Sequence, residues 1–217
     1  MKKQLKKLKR YTHLPQLLQM LRTQTISVLA PETWEDQNDT YLLSLYKKAR
    51  PEIKSLLVLC MTDASSTYHH WRVYAGSPSG VQIQFNPQAF QAWVDTQPHP
   101  NMRFEKVDYP PVKRFESGRF STDKFPFLKR RAFRDEDEYR LIVEDYKTEG
   151  LRVYTLPFDL TIIEEIKLSP WLPESLVETV KQTLAEAYSG PEGGWERIKV
   201  RRTSLLANPK VMRDLTT

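Results

Sequence analysis

The chain has little of the chemistry that usually announces a function. A single cysteine, Cys60, excludes an internal disulfide, and one cysteine with four histidines is a poor basis for a structural zinc site. Seven glycines in 217 residues offer no cradle for phosphates: there is no Walker-type loop, no G-x-G-x-x-G and no nucleophile elbow. No stretch approaches the roughly 20 apolar residues of a membrane-spanning helix. The opening MKKQLKKLKR is basic, but the YTHLPQLLQML that follows is interrupted by polar residues and Pro15, unlike a signal peptide. These absences predict a cytoplasmic protein without a metal site and without a membrane partner, and they leave its oligomeric state open.

What is present points to a packed fold. Forty per cent of the residues are apolar and 11% aromatic, enough for a sizeable core and too many for a disordered chain. The net charge of +6 and pI near 9.3 favour anionic partners, nucleic acid among them. Helical spacing covers residues 14–21, ISVLAP reads as a short strand, and Asp36, Asn38, Asp39 and Thr40 offer caps for a helix carrying Leu42, Leu43 and Leu45. SLLVLCMT, 55–62, suits a buried strand, and GSPSG is a turn before the alternating VQIQF. Strands and helices continue to the C-terminus without a regular βαβ rhythm. The expected organisation is a basic tail over residues 1–10 and a single α+β domain over 11–217, with a central mixed or antiparallel sheet flanked by helices.

Several residues could carry chemistry, each with a plainer reading beside it. Cys60 lies inside an apolar run and reads as a buried, inert thiol. His69 and His70 are adjacent on a helix, about 100° apart, so one packs or hydrogen-bonds inside and the other meets the rim. WEDQND, 34–39, has cap and turn chemistry and lacks the acid spacing of a calcium loop. Arg130 and Arg131 in LKRRAFR, and Arg197, Lys199 and Arg201 alternating along WERIKVRR, could track a phosphate backbone or be a solvated face. RDEDEYRLIV, 134–143, places Glu136 and Glu138 two residues apart, on one face if the strand begins that early. Paired carboxylates there could do acid–base or electrostatic work on a cationic sugar; a charged approach to a buried strand is the alternative.

The order of these segments resembles a bacterial family known as domain of unknown function twenty-nine seventy-one. RYTHLPQLLQMLRTQTISVLAPETWEDQND is similar to its opening, LLVLCMTD to its CFS strand, YHHWRVYAGSPSGVQIQF to its middle motif, and KRRAFRDEDEYRLI to its final one, together covering most of residues 10–145. The chain departs from that pattern at Ser79, where histidine is usual before the glycine, at Gln82 for cysteine and at Phe133 for tryptophan. A second similarity is to the ADP-ribosyltransferase superfamily, whose order of first-strand His or Arg, middle Tyr or Ser and later Glu, often as E-x-E, is met by His13, Tyr74 and Glu136-Asp137-Glu138. That resemblance implies an enzyme with NAD as substrate, of the kind found in phage-defence or toxin systems. His13 would hold the ribose, Tyr74 would stack on nicotinamide, Glu138 would stabilise the cationic sugar and Glu136 would orient the acceptor. Tyr11, His70 and Trp71 would complete the NAD contacts, and the basic patches favour nucleic acid as the acceptor. The competing expectation is a non-catalytic nucleic-acid-binding or regulatory protein. There Arg130, Arg131, Arg197, Lys199 and Arg201 would touch phosphate, Trp71 or Tyr74 would stack on bases, and DEDEYR would form an ion-pair network around Arg140.

Overall fold

The computed structural model describes residues 5–34, 36–97, 101–116 and 120–206. In chain order its elements are β1 (Leu8–His13), α1 (Leu14–Thr23), β2 (Thr25–Leu29), α2 (Gln37–Ala49), β3 (Ser55–Thr62), α3 (Tyr68–Tyr74), β4 (Gly80–Phe85), α4 (Pro87–Thr96), β5 (Met102–Lys106), α5 (Val112–Glu116), β6 (Glu138–Asp145), β7 (Val153–Pro157), β8 (Ile163–Leu168), α6 (Val177–Ala187) and β9 (Lys199–Arg202). The class is α+β, as the irregular order of patterns predicts, and strand pairs of both directions make the sheet mixed. Internal contacts divide the chain into two compact units. The first is Met1–Thr25, Ser65–Phe90 and Pro157–Thr217; the second is Ile26–Ala64 and Gln91–Leu156.

In the first unit β1 runs antiparallel to β4, with Tyr11 opposite Gln82 and His13 opposite Gly80. β4 then pairs antiparallel with β8, and β9 lies parallel beside β8. Strict alternation sends Val81, Ile83 and Phe85 to one face of β4, where they are fully buried. Leu17, Met20 and Leu21 of α1, spaced for one helical stripe, and Leu184 of α6 are buried as well. Phe85 meets Phe90 and Phe158 with ring centroids 5.5 and 5.7 Å apart. Gly80 has no substitute here: a Cβ would stand 2.1 Å from the carbonyl oxygen of Ala75, at the end of α3. The expected basic tail over residues 1–10 overlaps this sheet. Residues 1–4 lie outside the described residues, but Leu8, Lys9 and Arg10 are buried strand positions of β1.

In the second unit the strands run β5–β6–β3–β2 with antiparallel pairing from β5 to β2, and β7 pairs with β2. α2 packs on a core of Leu43, Tyr46, Ile53, Leu56, Val58, Phe127 and Ile142. Asp36 caps it, accepting from the backbone N–H of Asn38 at 3.0 Å and of Asp39 at 3.4 Å. Asp39 and Tyr46 stand two turns apart on one face of α2, and both grip β6. Asp39 binds Arg140, and the Tyr46 hydroxyl donates to the buried carboxylate of Glu144, which also accepts from Tyr146 at 2.5 Å. Burial and the hydrogen bond to Glu144 push the Tyr46 hydroxyl up to about 12.

Candidate active site

Two groups of the residues singled out by sequence come together, each within its own unit. The first surrounds the start of β6. The strand opens at Glu138, one residue after Asp137 in the left-handed region (φ 41°), and Glu136 ends a 3-10 turn over Arg131–Glu136. The strand does not begin early enough to carry both glutamates on one face; they converge instead on a lysine. Lys129 Nζ lies 2.6 Å from Glu136 and 3.5 Å from Glu138, with Asp39 at 3.7 Å. Beneath it the fully buried Arg140 pairs with Glu138 through Nε at 2.6 Å and with Asp39 through Nη2 at 2.5 Å. The ring of Trp34 lies 5.5 Å from the Arg140 guanidinium. An ion-pair network around Arg140, one of the two readings of DEDEYR, is thus present.

Glu138 is only 4% exposed and its backbone N–H donates to the Tyr109 hydroxyl at 2.9 Å. Burial pushes its carboxyl up, but the charges of Arg140 and Lys129 outweigh this and hold it below the usual carboxylate range. Burial also works against the Lys129 ammonium, and Glu138 and Glu136 more than restore it. Three carboxylates, Asp39, Glu136 and Glu138, lie within 4 Å of the Lys129 ammonium, and two of them, Asp39 and Glu138, also pair with Arg140. Cys60 in β3 lies opposite Arg140, and the charge of Glu138 acts on its thiol. The expectation of a buried thiol is corrected: every other residue of β3 is buried, whereas Cys60 is exposed. Its thiol is pushed well above its ordinary range, by desolvation first and by the Glu138 charge next.

The second group is aromatic and belongs to the first unit. Tyr11 of β1 lies 6.1 Å from the His70 ring in a stacked arrangement, 5.3 Å edge-on from Trp71 and 6.2 Å from Tyr74; His70 and Tyr74 stack at 6.4 Å. Ser66 Oγ ties the group together. It accepts from Trp71 Nε1 at 2.9 Å and Gln82 Nε2 at 3.2 Å, and lies 3.2 Å from the Tyr11 hydroxyl. Trp71 is fully enclosed, so the expectation that it stacks on a ligand or base is corrected: its ring has no open face. Tyr74, at 40% exposure, does. His70 is buried, with Nδ1 2.9 Å from Thr67 Oγ1, while His69 is exposed, as their helical angle requires. His13 ends β1, half-buried on the Tyr11 side of the strand.

The five basic residues singled out by sequence, Arg130, Arg131, Arg197, Lys199 and Arg201, are exposed. Arg130 lies 3.8 Å from Asp36 and 5.2 Å from the Phe133 ring, with Arg131 beside it in sequence. Lys199 and Arg201 share one face of β9, and Arg201 pairs with Glu165 at 2.6 Å. Arg197 is not part of that stripe, because Trp195–Arg197 is a 3-10 turn and the strand starts only at Lys199. Ser66, Asp39, Lys129 and Tyr109 were missed from sequence. Nothing but a position in a turn, a cap or a basic run marked them.

The class defined so far is an α+β protein with a buried carboxylate–cation cluster in one unit and an aromatic–histidine cluster in the other. Among the described residues no helix is long and apolar enough to cross a membrane, and no group of three His, Cys, Asp or Glu side chains could hold a metal ion. No family model and no curated protein matches the chain, so the resemblance to domain of unknown function twenty-nine seventy-one finds no support there. Among solved structures the chain is similar to Thermus sp. 2.9 DarT. The complex with NAD+ is 12% identical, with 94% of this chain and 98% of that chain covered and a TM-score of 0.47. The complex with ADP-ribosylated ssDNA is 11% identical over 93% and 95%, TM-score 0.47, and that with carba-NAD+ is 11% identical over 93% and 97%, TM-score 0.46.

Proposed function

We propose that the chain is an ADP-ribosyltransferase-like enzyme that takes NAD as substrate, with Glu138 as its catalytic carboxylate. The observation that carries the reading is a Glu138 carboxylate kept ionised and fixed in orientation by the Arg140 fork, with Lys129 beside it. When the bond between nicotinamide and ribose breaks, the electron pair leaves with nicotinamide and the sugar becomes an oxocarbenium ion. A carboxylate that is already ionised and already oriented stabilises that cation without reorganising. Glu136, joined to the same lysine, has in this reading the role of orienting an acceptor.

Within the first unit His13, Tyr74, Tyr11 and His70 carry a proposal of their own, as contacts for the ribose and nicotinamide of NAD. They are tested apart from Glu138 because they stand in the other unit. Exposed Arg130, Arg131, Lys199 and Arg201 support nucleic acid as the acceptor class, and a phage-defence or toxin role would follow from such an acceptor. The same exposed cations also serve the second reading, a nucleic-acid-binding protein without catalysis.

The test is a thermal-shift titration with NAD followed by an assay of nicotinamide release, on wild type, Glu138→Gln and Tyr74→Ala. Ligand that binds the native state raises its melting temperature by mass action. The reading expects a shift in wild type and Glu138→Gln, nicotinamide release only in wild type, and a weakened shift in Tyr74→Ala. No shift at about millimolar NAD, together with steeply salt-dependent nucleic-acid binding that Glu138→Gln leaves intact, would establish the second reading instead.

A further inference from the structure

The Arg140 guanidinium has five N–H donors and every one is taken. Nε donates to Glu138 Oε1 at 2.6 Å, and Nη2 to Glu138 Oε2 at 2.9 Å and Asp39 Oδ2 at 2.5 Å. Nη1 donates to Asp39 Oδ1 at 2.8 Å and to the carbonyl oxygen of Pro126 at 3.0 Å. The side chain is wholly buried, and Asp39, 2% exposed, spends both oxygens on it. No donor is left for a phosphate, and no surface for any ligand to reach. Both guanidinium contacts to Glu138 are fork-like, so they define the plane of that carboxylate as well as its distance. Cys60, opposite Arg140 in the neighbouring strand, is exposed.

We propose that Arg140 and Asp39 are positioning residues for Glu138: α2, through Asp39, anchors a guanidinium that fixes the Glu138 carboxylate in one orientation, and neither residue meets the substrate. The inference rests on the NAD reading for its catalytic consequence but not for its geometry. A carboxylate displaced by about 1 Å costs up to ~100-fold in rate while leaving substrate binding nearly unchanged.

The full chain is tested as wild type, Arg140→Lys, Asp39→Asn and Glu138→Gln, each checked for folding by circular dichroism. Lysine keeps the charge of Arg140 but not its fork. Arg140→Lys and Asp39→Asn are expected to lower kcat for NAD cleavage roughly 10–100-fold with KM within about twofold. In Arg140→Lys the acid limb of the kcat profile moves to higher pH, a change that a loosened scaffold alone does not produce. Cys60 supplies a readout independent of activity. It is the one cysteine in the chain, so N-ethylmaleimide labels a single site. Cys60 pairs with Arg140 across β3 and β6 and feels the Glu138 charge, so a carboxylate that moves away lets the thiol ionise, and alkylation quickens in Arg140→Lys as it does in Glu138→Gln.

A raised KM with unchanged kcat would place Arg140 at the substrate and overturn the proposal. So would a Cys60 alkylation rate identical in Arg140→Lys and wild type, since Glu138 would not have moved. If wild type cleaves no NAD, the enzymatic reading falls by itself, and the alkylation comparison still decides whether Arg140 orients Glu138. Should Arg140→Lys fail to fold, Asp39→Asn, which keeps the shape of the anchor, decides in its place.

Discussion

Replacing Arg140 by methionine removes a charge from the interior without opening a large cavity, and the structure sets both the size and the pH dependence of the effect. Two buried carboxylates, Glu138 and Asp39, lose their closest partner, and the carbonyl of Pro126 loses a donor. Lys129, 3.5 and 3.7 Å away, compensates in part. Breaking a buried pair costs about 3–5 kcal/mol; with the orphaned carbonyl against the buried methionine, about 4 kcal/mol remains. For a chain of this size that is a drop of roughly 8–16 °C in melting temperature near neutral pH. The sign of the pH dependence follows from Glu138. In wild type its folded pKa lies below the unfolded value of about 4.3, so it adds stability above that pH, which is lost as pH falls through the folded pKa. In Arg140→Met the same carboxyl is buried without its guanidinium, its folded pKa rises above about 4.3, and it costs stability as pH increases. The gap between the two proteins is therefore widest at neutral pH and closes on acidification. Melting curves of both from pH ~7 down to ~4 test this. A gap that is constant across the range, or below about 1 kcal/mol at pH ~7, would refute the electrostatic account of the cluster.

Two further outcomes are expected. Ser66→Ala removes the acceptor of the buried Trp71 Nε1–H and of Gln82, so it costs about 1–3 kcal/mol and alters tryptophan emission, read by thermal melts and fluorescence. The Tyr46 and Tyr146 hydroxyls, pushed by burial and Glu144 to about 12, ionise late in an absorbance titration, and Tyr46→Phe removes part of that late component. Because these phenols are held neutral by the fold, the stability they contribute is present below the ordinary tyrosine pKa of about 10 and declines as pH rises from there to about 12.

Local patterns carried most of the fold. The helical spacing in α1, the Asp36 cap of α2 and the alternation in β4 are each decided by neighbours within a few residues, and these were legible. Cys60 shows where such reading fails: an unbroken apolar run looks buried on both faces, and only the packing around β3 decides which residue is left open. Arg140 could be suspected of an ion-pair network from the acids beside it, but Asp39, 101 residues away, carried no mark beyond its place near a helix cap. The aromatic cluster is equally long-range. Tyr11 and Ser66 stand 55 residues apart and nothing local pairs them. The extent of β9 was misjudged because alternating charge continues through Arg197 while the backbone tightens into a 3-10 turn.

The two units are threaded through one another along the chain, and this orders their birth on the ribosome. The second unit has all its segments once Leu156 is made, whereas the first, begun at the N-terminus, still lacks β8, α6 and β9. At ~5–20 residues per second β4 waits some seconds for the partner strand that covers its edge. The unit that starts first is completed last, and a chain cut short after β7 would release a finished second unit joined to half of a sheet.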